Sequence, residues 1–216
     1  MRTGLWGSVM DREATAVLRE YHERIERELP VQQGLVGTPE YDRRRDEFLL
    51  CIGPETGQLL NLLVKSARAQ VVVEVGASYG YSTVWLAEAA RARGGRVYSL
   101  EIDPAKVEYG RRMLHKAGLA AWVEHRVGDA LATLSTVPGG MDFVLIDLWK
   151  PLYVATLEAV YPRLNAGALI AADNILLPQL YRVYSAQYQA AVKVKPGLET
   201  VTIPIGDGIE LSRFSG

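Results

Sequence analysis

Residues 71–82 read VVVEVGASYGYS. The first five form a short, apolar, β-branched run of strand length. Gly76 and Gly80 interrupt it, and a helical stretch follows from Ser82 to Arg93. A strand that turns through glycines into a helix opens a βαβ unit. The rhythm then repeats. RVYSLEI (96–102) reads as a strand and 104–117 as a helix; AWVEHRV (121–127) is a strand with a short helix after Asp129. MDFVLID (141–147) is followed by a helix over 153–164, and GALIAAD (167–173) by a helix over 178–194. Two last strands, near 199–205 and 208–214, meet at the tight turn Gly206-Asp207-Gly208.

Strands alternating with crossover helices predict a parallel sheet. The runs 71–75, 142–147 and 167–172 are apolar nearly throughout, as strands covered on both faces are. The expected fold is therefore α/β: a Rossmann-like, doubly wound, mostly parallel seven-stranded sheet with helices on both faces and an antiparallel C-terminal strand.

N-terminal to this core the texture changes. In residues 11–29, Val17, Leu18, Tyr21, Ile25 and Leu29 form one apolar stripe at helical spacing. Pro30 is expected to end that helix. Residues 1–30 then form a helical arm, either covering the core edge or serving a homodimer, and 31–216 form the main domain. Residues 31–47 read as loop-rich. Their Arg43-Arg44-Arg45 cluster is neutralised by Asp42, Asp46 and Glu47 and reads as a solvated face. A further helix starts near Pro54.

The composition agrees with one globular domain. The chain has 216 residues, 49% hydrophobic and 23% charged, which excludes disorder as the main state. Lys and Arg number 24 against 25 Asp and Glu, giving a net charge of −1, so a dedicated nucleic-acid binder is disfavoured. Apolar runs fall short of a membrane span, and no secretory signal is visible. The lone Cys51 fits a reducing, cytoplasmic compartment and reads as a structural thiol. His22, His115 and His125 are scattered, and Trp6, Trp85 and Trp122 read as packing residues.

In a parallel sheet, ligands bind beyond the carboxyl ends of the strands. After the first strand, Gly76-x-x-x-Gly80 permits close backbone approach, and Ser82 can cap the helix. The middle glycine of a pyrophosphate turn is absent, which disfavours a dinucleotide. The second strand ends in Glu101, placed to accept hydrogen bonds from a ribose diol. Asp103 caps the helix behind Pro104. Asp129 follows the third strand, as a helix cap, an adenine contact or both. Asp147 follows the fourth strand, with Trp149 and Lys150 after it; Asp173-Asn174 follow the fifth. Two carboxylates and an amide at neighbouring strand ends are hard oxygen ligands, suited to Mg²⁺ or another divalent cation.

The segments EVGASYGYS, SLEIDP, VGDA, LIDLWKPLY, AADN and DGIE together resemble class I S-adenosylmethionine-dependent methyltransferases. The likeness is closest to the metal-dependent O-methyltransferases that include catechol and caffeoyl-CoA enzymes. It runs from about Phe48 to the C-terminus. The resemblance implies that Glu74, Gly76, Ser78 and Ser82 surround the methionine part of S-adenosylmethionine, with Ile52 and Gly53 bordering it. Glu101 and Ile102 would serve the ribose side, and Asp129 and Ala130 the adenine. Asp147 and Trp149 would also border the cofactor. Asp147, Asp173 and Asn174 would bind Mg²⁺, and Lys150 would be the general base. Phe48, Trp149, Lys150, Asn174 and Pro178 would flank a small aromatic diol, and Glu210 would contact its second hydroxyl. Leu148 departs from the histidine of the animal catechol enzyme, and Trp149 from the aspartate of caffeoyl-CoA enzymes. That implies a free catechol in preference to a CoA thioester. Two other functions stay open at this stage: a nicotinamide-dependent oxidoreductase, and a non-catalytic cofactor-binding protein.

Overall fold

The structure, a computed structural model, describes residues 10–176 and 182–216. The strands are β1 (Val71–Val75), β2 (Arg96–Glu101), β3 (Val123–Val127), β4 (Met141–Ile146), β5 (Leu164–Ala172), β6 (Leu198–Ile203) and β7 (Ile209–Phe214). The helices are α1 (Arg12–Leu35), α2 (Pro39–Arg44), α3 (Pro54–Ser66), α4 (Tyr81–Arg91), α5 (Pro104–Lys116), α6 (Ala130–Leu134), α7 (Tyr153–Val160) and α8 (Arg182–Val194). Among the described residues the seven strands make one sheet in the order β3-β2-β1-β4-β5-β7-β6. β1 pairs in parallel with both β2 and β4, and the parallel run extends to β3 and β5. β7 alone runs against its neighbours, β5 and β6. This is the doubly wound Rossmann-like sheet expected from the strand–helix rhythm.

The two-residue alternation of each strand divides the core into two layers. Val72, Phe143, Leu145 and Ala171 face one layer, with α1, α3 and α4. Val73, Val75, Val144, Ile146, Ile170 and Ala172 face the other, with α7 and α8. Strands buried on both sides hold few polar positions, which is why these runs read as largely apolar, with the buried Glu74 an exception in β1.

Helix α1 corrects the expectation at its C-terminal end. It continues through Pro30 to Leu35, and residues 39–44 form a short further helix, so the stretch after Pro30 is less loop-rich than its sequence suggests. Pro30 withholds one N–H from Glu26, but both residues are exposed, so water can serve the freed carbonyl. The apolar stripe goes into the chain's own core: Val17, Leu18 and Tyr21 are buried with Trp85 and Leu114. The bounds of the other elements shift by a few residues. Strand β3 begins at Val123 behind a single 3-10 turn, and α7 gives way to another at Tyr161. Trp85 and Cys51 pack as expected, while Trp6 and the first residues of the helix expected from 178 lie outside the described residues.

Candidate active site

Parallel pairing brings the carboxyl ends of β1, β4 and β5 to one edge. The Asp147 amide donates to the Val75 carbonyl at 2.9 Å, and the Asp173 amide to the Ile146 carbonyl at 3.1 Å. Each acidic residue is thereby locked one step beyond its neighbour's strand. Gly76 turns beneath them with φ +93°. A β-carbon there would fall on the Asp147 carbonyl and within 2.9 Å of the Leu148 α-carbon. Only glycine lets β1 leave the sheet so close to the end of β4.

The loop from Gly76 to Gly80 is pinned from below. Glu74 is fully buried and accepts from Ser82 Oγ and Thr83 Oγ1, each at 2.6 Å, and from Ser99 Oγ at 2.9 Å. Burial raises its pKa to about 7 against the pull of those three hydroxyls. One expectation changes here: Gly80 takes the N-cap position of α4, and Ser82 bonds to Glu74 in place of capping the helix. Glu74 lies beneath the loop with no exposed surface. Ser78 sits at φ +47°, an unusual place for a residue with a side chain. Its amide donates to Glu101 Oε2 at 2.7 Å. Glu101 Oε1 accepts from the amides of Ile102 and Asp103 at 2.9 and 3.0 Å. Three of its roughly four lone-pair sites are therefore occupied within the loop. Ile102 is exposed beside it. Asp103 and Asp129 both cap helices, donated to by the amides of Ala105 and Ala132. Ala130 opens α6, half-buried. Ile52 is buried and Gly53, at φ +78°, leads into α3.

The acidic edge carries the strongest electrostatics. Lys150, in the 3-10 turn after β4, lies 3.7 Å from Asp147 Oδ1 and donates to Asn174 Oδ1 at 2.5 Å and Tyr153 Oη at 2.6 Å. Burial lowers its pKa, and the carboxylates of Asp147 and Asp173 pull the other way. Burial likewise raises the Asp147 carboxyl, opposed by Lys150. Asp173 is 2% exposed, and its Oδ1 is buried without a hydrogen-bond partner. Burial and the neighbouring Asp147 push this carboxyl up to about 8. Asn174 is held at φ +59°. Beyond it, the amides of Ile175 and Leu176 bond the carbonyls of Gly208 and Asp207, so the β6–β7 turn braces the edge. Among the described residues, no group of three or more His, Cys, Asp or Glu side chains is arranged to hold a metal. Here the donors are two carboxylates and an amide, and the orphaned Asp173 oxygen is what such a set would direct at a cation.

Trp149 is 45% exposed, and the Arg45 guanidinium lies 3.7 Å from its ring centroid. Arg45 therefore leaves the solvated run in which sequence placed it; Arg44 stays there, paired with Glu40 and Glu47. Phe48 is buried and stacked on Tyr41, so it offers little surface to a ligand. Pro178 lies outside the described residues. Glu210 is enclosed between β6, β7 and α8. It is 1% exposed, and it accepts from Thr200 Oγ1 and Thr202 Oγ1 at 2.6 Å and Gln189 Nε2 at 2.9 Å. Its carboxylate ties β6 and β7 to α8. Sequence reasoning missed Tyr153, whose only signal is its place three residues after Lys150. Its hydroxyl donates to the Asp173 carbonyl at 2.9 Å. Cys51 is raised to about 11 by burial and stays a thiol, as expected.

Known proteins resemble this chain along most of its length. The family profile described as O-methyltransferase matches residues 41–214. The chain is 39% identical over 128 residues to a catechol O-methyltransferase of Mycobacterium tuberculosis, covering 59% of this chain and 58% of that protein. It is 29% identical over 186 residues to caffeoyl-CoA O-methyltransferase 2 of Eucalyptus globulus, covering 76% and 75%. The solved structure of cofactor-bound Rv0187 from MTB superimposes with a TM-score of 0.73 at 29% identity, over 89% of this chain and 97% of that one. The match to the catechol-named protein thus spans under two thirds of its length. With all seven strands and both acidic strand ends inside the matched span, the chain belongs to the O-methyltransferase family.

Proposed function

We propose that this chain transfers the methyl group of S-adenosylmethionine to a hydroxyl of a small aromatic diol, with a divalent cation such as Mg²⁺ at the acidic edge. The observation that carries the reading is the convergence of Lys150 Nζ with Asp147 Oδ1 and Asn174 Oδ1, beside the unpartnered Asp173 Oδ1. Asp147, Asp173 and Asn174 would hold the cation, and a carboxyl raised to about 8 when empty would ionise beside it. When bound, the sulfonium supplies an electrophilic methyl group, and the cation supplies charge that favours an ionised acceptor oxygen.

The chain's own residues do the rest. A phenol of pKa about 10 is scarcely ionised at neutral pH, so its proton needs an acceptor. Lys150 Nζ takes that role, because burial favours its neutral form. Glu101 holds the ribose through its remaining acceptor capacity, while Gly76 and Ser78 bring the loop backbone to the methionine part. Gly53 and Ile52 close the opposite side, Ile102 lies beside the ribose, and Asp129 and Ala130 border the adenine. Trp149 gives the acceptor ring a flat wall. Holding donor and acceptor in line supplies much of the rate, since effective molarities are worth about 7–11 kcal/mol in favourable systems.

A screen tests this reading. Purified protein is offered the methyl donor with free catechols, flavonoids and caffeoyl esters, with and without Mg²⁺, and products are identified by mass. Methylated free catechols are expected only with the cation. Methylation of acceptors lacking adjacent hydroxyls, and of none bearing them, would overturn it.

A further inference from the structure

We infer that Tyr153 is a positioning residue whose hydroxyl holds Lys150 Nζ in place beside the acidic edge, an inference that rests on the methyl-transfer reading above. Tyr153 is 1% exposed, and its ring stands edge-on to Tyr188 at 5.6 Å, so it is fixed in place. A phenol has a single proton, and that of Tyr153 goes to the Asp173 carbonyl 2.9 Å away. Toward Lys150 Nζ, at 2.6 Å, the same oxygen can therefore only accept. Asn174 Oδ1, 2.5 Å from Nζ, is likewise an acceptor. Asp147 Oδ1 stands farther off, at 3.7 Å. Two short contacts, to Tyr153 and Asn174, therefore hold Nζ in place. Without the Tyr153 hydroxyl one of them is lost, and Nζ is no longer held at one position. The same hydroxyl ties the amine to the backbone of Asp173, so the proton acceptor and the acidic edge keep one spacing.

The test is Tyr153→Phe, assayed for methyl transfer with Mg²⁺ present. With catechol, kcat should fall about 10-fold or more, while KM for the acceptor and Kd for the donor stay within about twofold. With 4-nitrocatechol, whose more acidic hydroxyl is already ionised at neutral pH, the deficit should shrink to under about threefold, because no proton needs to be accepted. Combined with Lys150→Met, Tyr153→Phe should cost nothing further, because there is no amine left to hold. An unchanged kcat, equal deficits on the two acceptors, or additive losses in the double variant would overturn the inference. Circular dichroism checks folding. Should the Phe variant not fold, 3-fluorotyrosine at position 153 keeps the volume and the hydroxyl but weakens the oxygen as acceptor. A lower kcat with catechol and not with 4-nitrocatechol is then expected, and an unchanged kcat counts against the role. A wild-type protein that methylates neither diol refutes the methyl-transfer reading and this inference with it. An active wild type beside an unimpaired variant refutes only the role of Tyr153.

Discussion

Gly76 is the residue at which β1, the loop to α4 and the acidic edge meet. Two independent constraints act on it: a left-handed φ of +93° and the Asp147 backbone pressed against its missing side chain. Gly76→Ala should destabilise the fold by roughly 2 kcal/mol or more, since the strain and the steric overlap add and backbone cannot yield cheaply. Urea denaturation of the two proteins measures this, and a change below about 0.5 kcal/mol would mean that the β4 end moves aside. At this scale the sequence is informative where chemistry and position coincide. Asp147, Lys150, Asp173 and Asn174 all follow strands, so their convergence follows from the parallel sheet. Tyr153 and Glu210 were not legible in the same way. A tyrosine in an apolar helix reads as core, and its bonds to Lys150 and Asp173 exist only in three dimensions. Glu210 sits in a motif that resembles a site, yet strand alternation turns it inward to Thr200, Thr202 and Gln189.

At the level of elements, α1 is where local rules and the folded chain part company. Proline predicts a stop, yet the helix runs on to Leu35, with water able to serve the carbonyl that Pro30 leaves unpaired at an exposed turn. It braces the proposed cofactor loop, where Tyr21 Oη donates to the Tyr79 carbonyl at 2.7 Å, and the segment before α3, where Glu28 accepts from the Leu49 amide at 2.6 Å. The apolar stripe is therefore graded. Leu18 is fully buried and Leu29 is 37% exposed, although both lie on the same predicted face. Leu18→Ala should cost about 2–5 kcal/mol, and Leu29→Ala under about 1 kcal/mol. Chemical denaturation of the two variants checks the contrast, and equal losses would mean that the outer half of α1 is as firmly packed as the inner half.

Across the whole molecule, the mostly parallel sheet was readable because buried strands joined by crossover helices leave few arrangements open. The pH response was not readable, because it depends on how deeply Glu74 is enclosed. Its carboxyl stands near 7 in the fold, above its ordinary 4.5. Between those values the folded chain holds a proton that the unfolded chain releases, so this group makes stability fall as pH rises from about 4.5 to about 7, with no further change above. Glu74→Gln removes the slope. Urea midpoints at pH 5 and pH 8 should show the wild type losing stability relative to the Gln variant, and parallel behaviour of the two would show that Glu74 is not held neutral.

The account as a whole depends on the two acidic strand ends and Lys150 working as one cation-assisted site. The most direct measurement is transfer of a labelled methyl group from S-adenosylmethionine to catechol, run after EDTA treatment and again after Mg²⁺ is restored, for the wild type and Asp147→Ala. The account predicts that wild-type transfer stops with EDTA and returns with Mg²⁺, and that Asp147→Ala is inactive in both states. Wild-type transfer at full rate in EDTA would contradict it.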